Sequence, residues 1–176
     1  MNSHPAKING QTVDIQDGET ILHAAKRLGI AIPTLCHGEG MRPEGGCRLC
    51  LVQTNQKDRP VGACHTPIQP GMEIQTHTPQ LEELRRDILS LYLDDAQPIF
   101  QGNDRDTKFT RLLQDYQLTA PSSDRPACLD DSHPYLRFDP TRCITCRLCL
   151  NACEQIQGQF VYGVGSRGFQ SHLLFG

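Results

Sequence analysis

Along the first eighty residues the apolar positions change period several times. Lys7-Ile8-Asn9 and Gln11-Thr12-Val13-Asp14-Ile15 read as two short strands joined at Asn9-Gly10, a dipeptide that accepts the positive φ angles of a tight hairpin. From Asp17 to Thr20 the chain opens a helix, in which Ile21, Leu22, Ala25 and Leu28 share one face and Gly29 supplies the stop. Pro33 ends any further helix, and Cys36 to Gly46 is a glycine-rich loop. Strand-like Leu51-Val52-Gln53, the short Val61 to Ala63 run and the alternation Met72-Glu73-Ile74-Gln75-Thr76 follow. Hairpin, helix, loop and returning strands predict a small α+β roll.

A second helix is predicted where Thr78 caps, Pro79 suits the first turn, and Leu81, Leu84, Ile88 and Tyr92 keep helical spacing. It leads out of the first domain. The polar segment from Asp94 to Asp131 holds one more helix around Lys108 to Tyr116 and the loop-forming Ala120-Pro121-Ser122-Ser123-Asp124, and reads as a connector. After Cys153, Gly158, Gly163, Gly165 and Gly168 interrupt a strand-like Phe160-Val161-Tyr162.

Composition adds one constraint. Only 38% of the 176 residues are apolar, with no Trp and four Tyr, so the hydrophobic core is modest and metal is the obvious additional organiser. A formal charge of -3 and the lack of any Lys/Arg run give no field for nucleic acid. The N-terminal Met1-Asn2-Ser3-His4-Pro5-Ala6-Lys7 lacks a signal-peptide core, and no stretch approaches the roughly 20 apolar residues of a membrane span, so a cytoplasmic protein is expected. Nine cysteines in a reducing compartment point to metal or redox chemistry rather than disulfides.

The first cysteine group has the spacing C-x10-C-x2-C-x13-C, formed by Cys36, Cys47, Cys50 and Cys64. One loop wrapping a cluster while a distant strand supplies the last thiolate is the plan of plant-type 2Fe-2S ferredoxins. The first gap is longer here, but Gly38, Gly40, Gly45 and Gly46 free the loop to turn its N–H groups toward sulfur. Structural zinc would normally show two short knuckles, whereas this group has one. A Rieske centre using His37 and His65 would leave two cysteines without a task, so both histidines are expected beside the ligands or on the surface.

The second group, Cys143-x2-Cys146-x2-Cys149-x3-Cys153, matches the bacterial-ferredoxin run for a 4Fe-4S cluster, with Glu154 where proline usually follows. In two-cluster ferredoxins the fourth cysteine reaches the neighbouring cluster, which makes Cys153 the least secure ligand. Arg142 and Arg147 flank the ligands and are expected to be solvated. Cys128 is expected to be a free thiol, and His133 is not expected to ligate.

Taken together, these motifs resemble the N-terminal iron-sulfur region of NAD-linked, molybdopterin-containing formate dehydrogenase alpha subunits, related to the large iron-sulfur subunits of NADH:quinone oxidoreductases and iron hydrogenases. The matching text is Pro33-Thr34-Leu35-Cys36-His37, Gly46-Cys47-Arg48-Leu49-Cys50-Leu51-Val52, Ala63-Cys64-His65-Thr66-Pro67 and Gly71-Met72. Asp131-Ser132-His133-Pro134-Tyr135, Cys143-Ile144-Thr145-Cys146-Arg147-Leu148-Cys149 and Cys153-Glu154-Gln155-Ile156-Gln157-Gly158-Gln159-Phe160 look closest to the formate dehydrogenases. The resemblance implies a β-grasp 2Fe-2S domain over residues 1–78, a helical connector over 79–135, and a partial 4Fe-4S ferredoxin-like segment over 136–176. It also implies two partners, a molybdopterin catalytic domain or subunit and an NADH-linked flavin subunit of diaphorase type.

Two departures narrow that expectation. Many relatives carry a His-and-three-Cys cluster after the second helix, but residues 65–127 contain no cysteine, and Asp94-Asp95-Ala96-Gln97-Pro98 stands where that motif would begin. Relatives also continue into a second cysteine run and a catalytic domain, whereas 23 residues follow Cys153 here, so the molybdenum chemistry is expected elsewhere. No nucleotide fingerprint or nucleophile constellation is present, which leaves electron transfer as the leading expectation. A structural zinc-binding interaction module and an iron-sulfur redox sensor are the alternatives.

Overall fold

The computed structural model describes residues 5–95, 107–119, 129–131, 133–140 and 143–175. Cys128, Arg142, the loop 120–124 and residues 96–106 of the expected connector therefore lie outside the described residues. The described chain divides into two compact units, the first made of residues up to His37 with Pro43–Ile88, the second of Gly38–Arg42 with Leu89–Gly176.

In the first unit, strands β1 (Ala6–Ile8) and β2 (Gln11–Val13) pair antiparallel around Asn9 (φ 49°) and Gly10 (φ 82°), the turn geometry that matches strand twist. Helix α1 (Ile21–Arg27) begins at Thr20, whose Oγ1 accepts from the His23 N–H, and ends where Gly29 takes φ 72°. Strands β3 (Leu51–Thr54), β4 (Lys57–Gly62) and β5 (Glu73–Gln75) complete a mixed sheet of order β2-β1-β5-β3-β4. Among the described strands only β1 and β5 run parallel, with Ile8 opposite Ile74. Pro60 is tolerated because β4 is an edge strand, with no partner on its outer side among the described residues.

The core gathers Ile8, Val13, Ile21, Ala25, Val52 and Ile74, and includes Cys50 and Cys64. This is the α+β architecture expected from the pattern. Two differences stand out. Strand β4 starts four residues earlier than Val61, because edge position lets the polar Lys57-Asp58-Arg59 face water. The following helix, α2 (Pro79–Asp95), buries Leu81, Arg85, Leu89 and Leu93, while Leu84, Ile88 and Tyr92 are only half-buried. The i, i+4 series centres on a side chain that the hydrophobic pattern assigns to the polar face.

In the second unit, α3 (Lys108–Asp115) is closed by a reciprocal cap between Thr107 and Thr110 and buries Phe109 and Leu113. Tyr92 meets Phe109 edge-on, with ring centroids 6.2 Å apart. A short helix α4 (Leu148–Asn151) runs into a π-helical turn at Ala152–Ile156. Strands β6 (Tyr162–Gly165) and β7 (His172–Phe175) form an antiparallel hairpin, which replaces the short run expected at Phe160–Tyr162. No helix among the described residues is long and apolar enough to cross a membrane.

Candidate metal centre

Cys36, Cys47, Cys50 and Cys64 are all buried, between 1% and 4% exposed. Cys36 ends the loop after α1, Cys47 and Cys50 sit on the turn into β3, and Cys64 lies on the turn after β4. Arg48 makes the first turn possible by adopting φ 59°, a left-handed conformation that costs a non-glycine residue roughly 1–2 kcal/mol. The Cys64 turn is held by the Gly62 carbonyl, which accepts from the Thr66 N–H at 3.1 Å and the Thr66 hydroxyl at 2.8 Å. The first N–H groups of α1, which lack intrahelical partners, reach the same turn: Leu22 donates to the Ala63 carbonyl and Ile21 to that of Thr66, both at 3.0 Å. Ala63 in turn donates to the Cys50 carbonyl at 2.9 Å.

The four thiols form two pairs. Cys36 shares a hydrogen bond with Cys47, which holds the Cys36 thiol well above the usual range and lowers Cys47 to about 5, against the opposing pull of burial on Cys47. Cys64 likewise bonds Cys50, raising Cys64 and lowering Cys50 to about 7. Main-chain donors point the same way: Leu35 N–H lies 3.4 Å from Cys47 Sγ and Cys47 N–H 3.3 Å from Cys36 Sγ. Each stabilises negative charge on sulfur, as a thiolate ligand requires. His65 Nδ1 lies 3.4 Å from Cys64 Sγ, its ring stacked over Gly62 and Gly45. His37 packs its ring 5.6 Å from that of His23.

The second group is built locally. Thr145 (φ 54°) and Arg147 (φ 60°) both take the left-handed conformation, one in each C-x2-C step, and Thr145 N–H reaches Cys143 Sγ at 3.4 Å. Cys149 lies in α4, and Cys153 falls in the π-helical turn, where its thiol faces the Gln159 carbonyl at 3.4 Å. Cys149 is the most exposed residue of the four, yet its sulfur is desolvated enough to be pushed up, with repulsion from Cys146 and Cys143 adding to this. Burial also raises Tyr162, reinforced by the charge of Cys149 and Cys153. His133 stands apart in an exposed turn, its Nδ1 accepting from the Tyr135 N–H at 3.2 Å.

Residues 6–79 match a family described as a 2Fe-2S iron-sulfur cluster binding domain. A nickel-iron NAD+-reducing hydrogenase, solved in its H2-reduced state, contains a chain that is 31% identical and superimposes with a TM-score of 0.85, over 98% of this chain and 75% of that one. The chain belongs to this 2Fe-2S family. The NADPH-Fe(3+) oxidoreductase subunit alpha of Geobacter sulfurreducens is 34% identical over 92% of the chain. The 75 kDa subunit of the NADH-ubiquinone oxidoreductase of Reclinomonas americana is 31% identical over 94% of it. The chain spans only 20% of the length of the first of these relatives and 25% of the second. Family membership assigns a 2Fe-2S cluster and electron transfer to the chain.

The paired thiols fit that group. Two sulfide-bridged irons take two thiolates each, whereas a single zinc draws four onto one point. Sequence reasoning missed one residue at this site, Arg85. The signal available was its place in the i, i+4 series Leu81, Arg85, Leu89.

Proposed function

We propose that the chain is the iron-sulfur electron-transfer module of a multi-subunit oxidoreductase, with Cys36 and Cys47 holding one iron of the 2Fe-2S cluster and Cys50 and Cys64 the other. The observation that carries this is the burial of four thiols in two neighbouring pairs, with the Cys47 N–H 3.3 Å from Cys36 Sγ and the Ala63 N–H, next to Cys64, bonded to the Cys50 carbonyl at 2.9 Å. The residues do three things. They place sulfur where iron needs it, supply main-chain donors to thiolate charge, and exclude water through the surrounding core. When bound, the cluster takes up and releases one electron at a time.

Cys143, Cys146, Cys149 and Cys153 are proposed to hold a 4Fe-4S cluster. Their spacing, the left-handed residues between them and the Thr145 donor to Cys143 support this. With it goes the division proposed from sequence: a β-grasp 2Fe-2S domain to residue 78, a connector to 135, and a 4Fe-4S segment beyond. As partners we propose an NADH-linked flavin subunit on one side and a molybdopterin formate-oxidising subunit on the other. The flavin side draws support from the relatives named for NAD, NADH and NADPH, and the molybdenum side from the Cys153-Glu154-Gln155-Ile156-Gln157-Gly158 block.

The test is anaerobic reconstitution of the full chain. Six irons are expected, two plus four, with an axial paramagnetic signal from the reduced 2Fe-2S centre that Cys47→Ser removes. Two irons, or a signal unchanged in Cys47→Ser, would defeat the respective assignment. Reduction by NADH is expected only when the flavin partner is added, and reduction by NADH alone would refute the relay.

A further inference from the structure

We propose that Arg85 is a positioning residue for the 2Fe-2S cluster, fixing the main chain on both sides of Cys50 and biasing the cluster toward its reduced state. The inference rests on Cys50 being a ligand, as proposed above.

Arg85 is fully buried, which is rare for a guanidinium and costs free energy unless its donors are matched. They are matched mainly by backbone. Nε donates to the Leu49 carbonyl at 3.1 Å, and Nη2 donates to the Leu51 and Thr76 carbonyls, both at 2.8 Å. Nη1 bonds Glu82 Oε1 at 2.6 Å, one turn earlier on α2. Leu49 and Leu51 are the neighbours of Cys50, so the guanidinium grips the carbonyls of the residues on either side of that cysteine. The Cys50 carbonyl is tied from elsewhere, by the Ala63 N–H. The main chain at Cys50 is therefore held at three successive carbonyls.

Charge follows from the same geometry. Reduction adds one electron to the cluster, and a buried cation favours that state more than an exposed one, because neither water nor salt screens it well. Glu82 does not cancel this field. Its side chain is 40% exposed while that of Arg85 is 0% exposed, so the negative end of the pair meets solvent and the positive end meets the Cys50 segment.

The experiment uses the full chain, reconstituted anaerobically and titrated redox-wise with paramagnetic resonance of the reduced 2Fe-2S centre as readout. Arg85→Gln removes the charge and should lower the equilibrium constant for reduction about tenfold, equivalent to 59 mV for a one-electron couple. Arg85→Lys keeps the charge but loses the fork, so its constant should stay within about twofold while cluster retention falls. Glu82→Gln removes the opposing charge and should raise the constant. Opposite shifts in Arg85→Gln and Glu82→Gln support the proposal, since a merely structural arginine has no reason to produce them. Shifts of the same sign, or equal shifts in Arg85→Gln and Arg85→Lys, overturn it. If Arg85→Gln does not retain a cluster, the comparison of Glu82→Gln with Arg85→Lys decides by the same criterion: a raised constant beside an unchanged one supports the proposal, and any other combination overturns it. The Cys47→Ser control separates the two levels of inference, because a signal that survives it refutes the ligand assignment rather than the role of Arg85.

Discussion

Replacing Asn9 tests how the hairpin is fastened to the strand that leads into α2. Asn9 Nδ2 donates to Thr76 Oγ1 at 2.7 Å, and the Thr76 N–H donates to Asn9 Oδ1 at 2.9 Å, so one side chain satisfies two polar groups of a fully buried residue. Losing them in Asn9→Ala costs about 1 kcal/mol for each bond, and more for the Thr76 N–H if it stays dry. Alanine at φ 49° adds roughly 1 kcal/mol of left-handed strain. The total is about 3 kcal/mol, which for a domain of this size lowers the melting temperature by roughly 10–20 °C. Asn9→Gly loses the same bonds without the strain and should fall about 1 kcal/mol short of the alanine variant. Anaerobic thermal melts followed by circular dichroism compare all three proteins. Equal melting of the alanine and glycine variants would refute the strain component, and a loss under about 1 kcal/mol in both would refute the tie itself. Thr76 also accepts from Arg85, so the alanine variant should loosen the Cys50 segment and lower cluster retention.

Two further outcomes follow from single contacts. Glu19 is 8% exposed and accepts from Arg27 Nε at 2.7 Å and Nη2 at 2.8 Å, and this bond holds its folded carboxyl below the usual value. Its stabilisation is therefore complete above roughly pH 4.3 and is lost as pH falls through the lower folded value, so Glu19→Gln should melt earlier at pH 7 and draw closer to the parent as the pH falls through that value. A constant difference in melting across that window would sink the argument. A methyl group at Gly62 would overlap the His65 ring, and because His65 is exposed the ring should swing away from Cys64. Gly62→Ala is expected to cost little stability but to shift the visible absorption of the cluster, and an unshifted spectrum would show that His65 does not influence the Cys64 sulfur.

The hairpin and α1 were legible because their signals are local: Asn9-Gly10 specifies the turn, and Thr20 and Gly29 mark the helix ends. The α+β class followed from their order. Strand β4 was half-hidden because an edge strand needs only one apolar face, and its first three residues are exposed. The final hairpin was misplaced for a different reason. Gly163 and Gly165 read as breakers, but both lie in a strand and Gly165 is a close-approach position, since a Cβ there would come within 2.9 Å of His172 and 3.0 Å of Leu174. Arg85 escaped because a charge in an apolar stripe looks like an interruption until the carbonyls that receive it are known. Those carbonyls come from residues 9 to 36 positions away in sequence, and no local pattern encodes them.

Both cysteine groups solve one steric problem in the same way. A C-x2-C step must bring its sulfurs to one side within a single turn, and an extended path, which puts residues i and i+3 on opposite faces, does not do so. Placing one residue in the left-handed region reverses the chain, and Arg48, Thr145 and Arg147 each occupy that region. Glycine would adopt it at no steric cost, so three non-glycine residues there store roughly 3–6 kcal/mol of strain between them. Such strain persists only where the surroundings over-determine the backbone. At Arg48 the surroundings are visible, because Leu49, buried beside it, is gripped by Arg85 and the flanking cysteines are packed in the core. At Thr145 and Arg147 the protein supplies much less, since neither residue is buried and the cysteines around them are partly exposed. On the proposal that Cys143, Cys146 and Cys149 hold a cluster, the further constraint there is the bonding of iron to their thiolates. Loss of metal should accordingly release the backbone around Cys146 while leaving that around Cys50 in place. Amide exchange on the chain with and without iron checks this: equal deprotection of the two segments on iron removal would refute the argument.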